Sequence, residues 1–159
     1  MTINEEISEA IDTRSMAELL SFMVSGQDYS VDIMSVREIR GGAKATPLPH
    51  SPDYVRGVIN LRGTVLPIID LAQRLGMEAK TDNDRNVIIV VTIEDRTFGL
   101  MVDAVSDILA IPQDELQAPP EMRADKDRNF VSSLFIVEER MIRILDLGAV
   151  MPSAKEEAA

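Results

Sequence analysis

The sequence predicts a mainly β protein made of two copies of a five-strand unit, each closing as a small barrel, with short helices. Three observations carry this expectation. Runs of Val, Ile and Thr recur between short polar connections, as half-buried strands joined in hairpins require. Tyr29, Val31, Ile33, Val36, Glu38 and Ile39 match Phe98, Leu100, Val102, Val105, Asp107 and Ile108, each 69 positions later; Leu20, Phe22 and Val24 fall on Ile89, Val91 and Ile93 at the same offset. Leu66, Ile68, Ile69, Asp70 and Leu71 match Ile142, Ile144, Leu145, Asp146 and Leu147 at an offset of 76, because the second proline-containing loop is longer. Five short strands close most economically as a barrel, which also hides sheet edges.

The elements follow in order. Residues 1–17 read as a flexible or short-helical acidic arm, in which Asn4 can cap a helix with Ile3, Ile7 and Ile11 on one side. Leu19–Ser25 and Tyr29–Met34 flank the turn Gly26-Gln27-Asp28. Gly57 to Leu71 is apolar and β-branched, and Arg62-Gly63-Thr64 splits it into two strand-like halves. Ile69–Leu75, ending at Gly76, reads as a short helix. Val87–Glu94 and Thr97–Val102 flank Asp95-Arg96, and Phe130–Val137 and Met141–Leu145 flank Glu138-Glu139-Arg140. Two long proline-containing loops, Gly41–Asp53 and Ile111–Asn129, have the length of binding loops. The expected organisation is one domain over 18–152, with pseudo-repeated barrels near 18–75 and 86–150 and strands open to exchange between them. Residues 153–159 form a tail.

Composition narrows function. A net charge of −11 repels phosphate backbones and anionic lipid, and 4% aromatic residues with no Trp leave few platforms for stacking bases. No nucleic-acid binding is expected. The absence of cysteine excludes disulfides, thiolate metal sites and Cys nucleophiles. The acidic start is unlike a secretory signal, and the longest apolar run, Val87 to Val91, is far too short to span a bilayer, so a soluble cytoplasmic chain is expected.

Motifs for chemistry are missing. Asp82-Asn83-Asp84-Arg85-Asn86 begins like a calcium loop, but Val87 stands where Gly is needed and Ile93 where Glu is needed. His50, the one histidine, lies in Pro49-His50-Ser51-Pro52-Asp53 with no nucleophile elbow in the chain, so a ligand-binding or hydrolytic barrel using His50 is the weaker alternative. No phosphate-cradling glycine loop occurs, and no cofactor or metal is expected. Of the nine methionines, Met23, Met34 and Met101 fall in expected strands, where core packing is the expectation. Arg62 is the outlier, a permanent charge in an apolar run. Alternation puts Asn60 and Arg62 on one face and Ile59 and Leu61 on the other. Two readings stay open: an exposed turn arginine whose surface pair contributes about 0–1 kcal/mol, or a partner of Glu38 whose loss, if buried, costs about 3–5 kcal/mol.

Tyr29-Ser-Val-Asp-Ile33, Val36-Arg-Glu-Ile39, Tyr54 through Leu71, Phe98-Gly-Leu-Met-Val-Asp103 and Val105-Ser-Asp-Ile108 together resemble the CheW family of chemotaxis coupling proteins, over roughly residues 18–150. The same module occurs in the kinase CheA and the adaptor CheV, but this chain has no room for their additional domains, so a free-standing coupling protein fits. The resemblance implies two intertwined five-stranded barrels of the SH3-like or OB-like kind and no catalysis. It implies a scaffold joining the cytoplasmic tips of chemoreceptors to the regulatory domain of the histidine kinase CheA, recruited to membrane-associated receptor arrays without inserting into the membrane. By position, the implied receptor surface includes Val36, Glu38, Ile39, Arg62, Gly99, Val105 and Ile108, and the implied kinase surface Ala45, Thr46, Arg56 and Met122. An adaptor of the same family in a non-flagellar pathway is the other reading. In the alignment of the two halves Gly63 falls on Glu139, and Asn60-Leu61-Arg62-Gly63 has no sequence counterpart, which marks that turn as specialised.

Overall fold

Ten strands form two five-stranded sheets in the computed structural model, which describes residues 15–42, 44–78, 85–119 and 130–152. The first half supplies β1 (Met16–Val24), β2 (Gln27–Asp32), β3 (Val36–Gly41), β4 (Val55–Leu61) and β5 (Thr64–Asp70). The second supplies β6 (Val87–Ile93), β7 (Arg96–Val102), β8 (Ala104–Pro112), β9 (Val131–Val137) and β10 (Arg140–Leu145). One-turn helices α1 (Leu71–Arg74) and α2 (Leu147–Val150) follow β5 and β10, and 3-10 turns occupy Ile33–Ser35 and Gln113–Glu115.

The sheet orders are β8-β1-β2-β10-β9 and β3-β6-β7-β5-β4. Moving every strand five places along the chain converts one order into the other, so the sequence repeat is a repeat of topology. Neither sheet is a continuous stretch of chain. The first joins β1 and β2 to β8, β9 and β10, with β2 and β10 parallel; the second joins β3, β4 and β5 to β6 and β7, with β5 and β7 parallel. The strands are therefore exchanged between the halves.

Local irregularities repeat too. All four hairpins turn on two residues with positive φ, the two-residue geometry that matches strand twist. They are Ser25-Gly26, Arg62-Gly63, Glu94-Asp95 and Glu138-Glu139. The expected turns at Gly26-Gln27-Asp28 and Asp95-Arg96 sit one residue further on than these, and those at Arg62-Gly63-Thr64 and Glu138-Glu139-Arg140 begin on them. Glu138-Glu139 gives the second half the same backbone turn as Arg62-Gly63, so that turn has a counterpart after all and differs only in side chains. A bulge adds Arg37 to β3, and another adds Arg56 to β4; β8 and β9 bulge at the equivalent places.

Single backbone bridges connect the outer strands of each sheet. Thr46 and Val58 exchange N–H···O bonds of 2.8 and 2.9 Å, and Gln117 and Leu134 exchange bonds of 2.8 Å. The two proline-containing loops thus carry the residues that link β3 to β4 and β8 to β9. Gly57 permits the first: its φ is +146°, and a Cβ there would lie 2.1 Å from the Thr46 carbonyl oxygen.

Alternation divides the apolar residues into three cores. Leu20, Phe22, Val24, Tyr29 and Val31 from one sheet meet Ile89, Val91, Phe98, Leu100 and Val102 from the other in a shared cluster, joined by Leu71 and Leu147. Leu66, Ile68, Ile88, Val90 and Met101 fill the second barrel, while Leu19, Ile111 and Ile144 anchor the first. Three local expectations change. Ile69 and Asp70 are strand, and the helix is confined to Leu71–Arg74 because the Asp70 carboxylate caps it at Gln73 N, 3.3 Å away. Met34 belongs to a 3-10 turn and is 78% exposed, not core. The strands Val36–Gly41 and Ala104–Pro112, left unassigned by the hairpin pattern, are the outer strands beside β6 and β1. The expected helix around Asn4 and the calcium-like Asp82-Asn83-Asp84 lie outside the described residues.

Candidate functional site

Most residues of the expected receptor surface gather on β3 and β8, the strands that start the two sheet orders. The repeat explains why they share a setting. Val36 pairs with Val91 just before the β3 bulge, and Val105 pairs with Phe22 just before the β8 bulge. Both valines are half-buried and pack on the shared core from different sheets. Beyond each bulge the chain turns an isoleucine outward, and Ile39 and Ile108 are 47% and 67% exposed. Large apolar groups held outward at matched places on two edge strands are groups that a partner can cover.

Arg62 stands at the β4–β5 hairpin tip. Asn60 fixes that tip, its side-chain oxygen accepting from Gly63 N at 2.9 Å. Ile59 and Leu61 pack on the barrel interior, as alternation requires, and Arg62 points the other way. Its Nη2 donates to Glu38 Oε1, which joins the hairpin tip to β3. Arg40 Nη1 reaches the other Glu38 oxygen at 3.5 Å. The Arg62 side chain is 72% exposed and that of Glu38 24%, so the pair is of the solvated kind.

The first barrel does not repeat this pair. Asp107 stands where Glu38 does and Glu138 where Arg62 does, so both equivalent groups are acidic. Arg140 is close by and donates to Asp28 at 3.0 and 3.3 Å. The Asp28 carboxylate, with smaller contributions from Asp107 and Glu138, raises the Arg140 pKa above its ordinary value.

Gly99 differs from the rest of the receptor set. It is buried inside the second barrel, and a Cβ would lie 2.5 Å from Ile68 Cδ1 and 2.8 Å from Ile88 Cγ2. It offers no side chain to a surface, and its smallness lets β5 and β6 residues pack over β7.

The expected kinase residues are spread more widely. Ala45 packs on the second barrel's interior, and Thr46 forms the closing bridge to Val58. Arg56, at the β4 bulge, pairs with the fully buried Asp70 carboxylate at 3.3 Å. Met122 lies outside the described residues. Beside Thr46 the sequence reading overlooks an apolar groove of about 380 Å³, lined by Leu48, Pro52, Val58, Val65, Pro67 and Arg96 among others. Leu48 and Val65 are 48% and 62% exposed. The strand period signals Val65, which alternates with the core residue Leu66.

His50 is exposed at positive φ, with no hydrogen bond or ion pair among the described residues, so nothing there orients it as a base. The described residues hold no group of three or more metal-binding side chains, and none of their helices is long and apolar enough to cross a membrane.

Known proteins share this architecture. The family model for the CheW-like domain matches residues 18–155. The chemotaxis protein CheW of Rhizobium meliloti is 49% identical over 147 residues, covering 92% of this chain and 95% of that protein. The Bacillus subtilis chemotaxis protein CheW is 32% identical over 143 residues, covering 89% and 91%. The crystal structure of the scaffolding protein TtCheW from Thermoanaerobacter tengcongensis superposes with a TM-score of 0.79 at 29% identity, covering 88% of this chain and 95% of that one. With two exchanged five-stranded sheets, the chain belongs to the CheW family of non-enzymatic chemotaxis scaffolding proteins.

Proposed function

We propose that this scaffold joins the cytoplasmic tips of chemoreceptors to the regulatory domain of the histidine kinase CheA, and so lets receptors control kinase autophosphorylation. The protein works in the cytoplasm, recruited to membrane-associated receptor arrays. The observation that carries this reading is the pairing of exposed Ile39 and Ile108 with half-buried Val36 and Val105 on equivalent strands of the two sheets. A helical receptor tip laid along β3 and β8 covers these apolar groups, each contributing about 1.5–3 kcal/mol if fully buried. Glu38 and Arg62, held together at the hairpin tip, orient the helix by charge and hydrogen bonding. Gly99 acts indirectly, by setting the packing of the barrel that carries Glu38 and Arg62.

The kinase occupies the other apolar surface, near Ala45, Thr46 and Arg56 and the Leu48–Val65 groove. Met122 is a candidate for the same contact. Separate surfaces let both partners bind at once, as a coupling protein needs. Co-purification with a receptor cytoplasmic fragment and with the CheA regulatory domain tests this division. Ile108→Asp should remove the receptor fragment and retain the kinase domain, and Val65→Asp should do the reverse. Loss of both partners from either folded variant contradicts the two-surface assignment.

A further inference from the structure

The geometry points to Arg74 as the clasp that fixes the angle between the two barrels and so positions the two halves of the receptor surface. Arg74 ends α1, which follows a strand of the second barrel, and its side chain reaches groups of the first. Its Nε donates to the Val150 carbonyl at 2.9 Å, and its Nη2 lies 3.3 Å from the Ala149 oxygen and 3.4 Å from the Met151 oxygen. These are the carbonyls at the end of α2, where a helix lacks internal donors and a cation is favoured. The guanidinium carbon lies 3.9 Å from the Tyr54 ring centroid and 5.2 Å from that of Phe130. Tyr54 leads into β4 and Phe130 into β9, so one ring belongs to each barrel. The arginine is only 8% exposed.

The repeat shows where this contact sits. Val150 is the residue 76 positions after Arg74, the offset that relates β5 and α1 to β10 and α2. Tyr54 and Phe130 are related by the same offset, and each carbonyl accepts from an equivalent aspartate, Asp70 N at 2.7 Å and Asp146 N at 2.8 Å. Arg74 therefore binds its own counterpart, which happens at the axis relating two equivalent bodies. A planar fork reaching three successive carbonyls resists rotation about that axis as well as separation. With valine at the equivalent place, this clasp is made from one side. The angle matters because Val36 and Ile39 belong to one sheet and Val105 and Ile108 to the other. The consequence for docking rests on the receptor reading above.

The absence of cysteine makes the test direct. Spin labels at Thr64→Cys in β5 and Met141→Cys in β10 report one distance between barrels in the full chain. The unaltered clasp should give a narrow distribution. Arg74→Met keeps an apolar stem between the rings and removes the donors, so the distribution should broaden or shift, with Arg74→Lys intermediate. Affinity for a receptor cytoplasmic fragment should fall about threefold or more, measured well below the unfolding transition. If Arg74→Met does not fold, Arg74→Lys and Phe130→Leu carry the same test. An unchanged distribution in the folded variants overturns the clasp, whatever happens to stability. Altered distances with parental affinity overturn its link to docking. Failure of the labelled parent to bind any receptor fragment counts against the receptor reading alone, and the distances still decide the clasp.

Discussion

Arg62 and Glu38, 24 residues apart in sequence, are joined by a side-chain hydrogen bond across the tip of one barrel, although the Arg62 side chain is 72% exposed. A permanent charge beside an apolar strand is thus carried outward on the hairpin turn and held in place by a neighbouring strand. Solvated pairs of this kind contribute about 0–1 kcal/mol to stability. Arg62→Ala should lower the unfolding free energy by no more than about 1 kcal/mol, read by urea titration, while receptor-dependent kinase output drops several-fold. A stability loss that accounts for the whole functional loss would show that the pair is structural.

Reversing both charges, Glu38→Arg with Arg62→Glu, separates pairing from partner recognition. With Arg40→Ala in every variant, so that no third charge competes, each single reversal places like charges together and the double restores an opposite pair. If the two residues matter to each other alone, the double recovers the activity lost in the singles. If Arg62 also meets a receptor carboxylate, the double folds normally and remains uncoupled, the outcome expected here.

The two N-capping aspartates make an internal comparison. Asp70 is fully buried and pairs with Arg56 while capping α1; Asp146 caps α2 from an exposed position. Asp70→Ala leaves a buried guanidinium contact broken and should cost about 3–5 kcal/mol. Asp146→Ala removes a cap and should cost about 1 kcal/mol. Equal losses in chemical denaturation would mean that the Arg56 pair adds nothing.

Barrel closure at Thr46 depends on the absence of a side chain at Gly57. Gly57→Ala combines an unfavourable φ with collision against backbone, which cannot rotate away, and should cost about 3 kcal/mol. Hydrogen exchange at Val58 and Thr46 should accelerate before the rest of the second barrel responds. Parental protection at both amides would mean that the bridge does not need the glycine.

Burial raises the Tyr29 pKa, with the nearby Arg143 charge opposing that effect. The unfolded chain then loses the phenolic proton first, at about pH 10. Stability is unaffected by this group below that pH and falls as pH rises through the unfolded and then the folded value. Tyr29→Phe should flatten the decline in thermal midpoint above about pH 10. An equal decline in both proteins would assign the alkaline sensitivity elsewhere.

Much of this architecture is legible in the chain because its periodicities are strong. The 69- and 76-position offsets identify the repeat, and alternation in Ile59-Asn60-Leu61-Arg62 sorts core from surface. The one-turn helices are harder to place, since four residues cannot establish a helical period, and Asp70 at the boundary suits a strand end as well as a cap. The outer strands are missed for a related reason. Val36–Gly41 carries three charged residues on a largely exposed edge, so its composition resembles a loop. Arg62 and Glu38 are each conspicuous in sequence, but their pairing needs β3 and the β4–β5 tip to meet. Gly99 reads as a surface position by resemblance, and only the packing of Ile68 and Ile88 over it reveals an interior role.

Reconstitution asks whether one chain couples receptor to kinase, as proposed. Receptor-containing membranes, CheA and ATP are mixed with the protein, and phosphoryl transfer to the kinase is followed over time. The parent chain should form a sedimenting ternary assembly and raise phosphorylation several-fold over receptor and kinase alone, and Arg62→Ala should lose most of that increase while remaining folded. No assembly and no change in kinase output, with partners from the same organism, would overturn the proposed coupling.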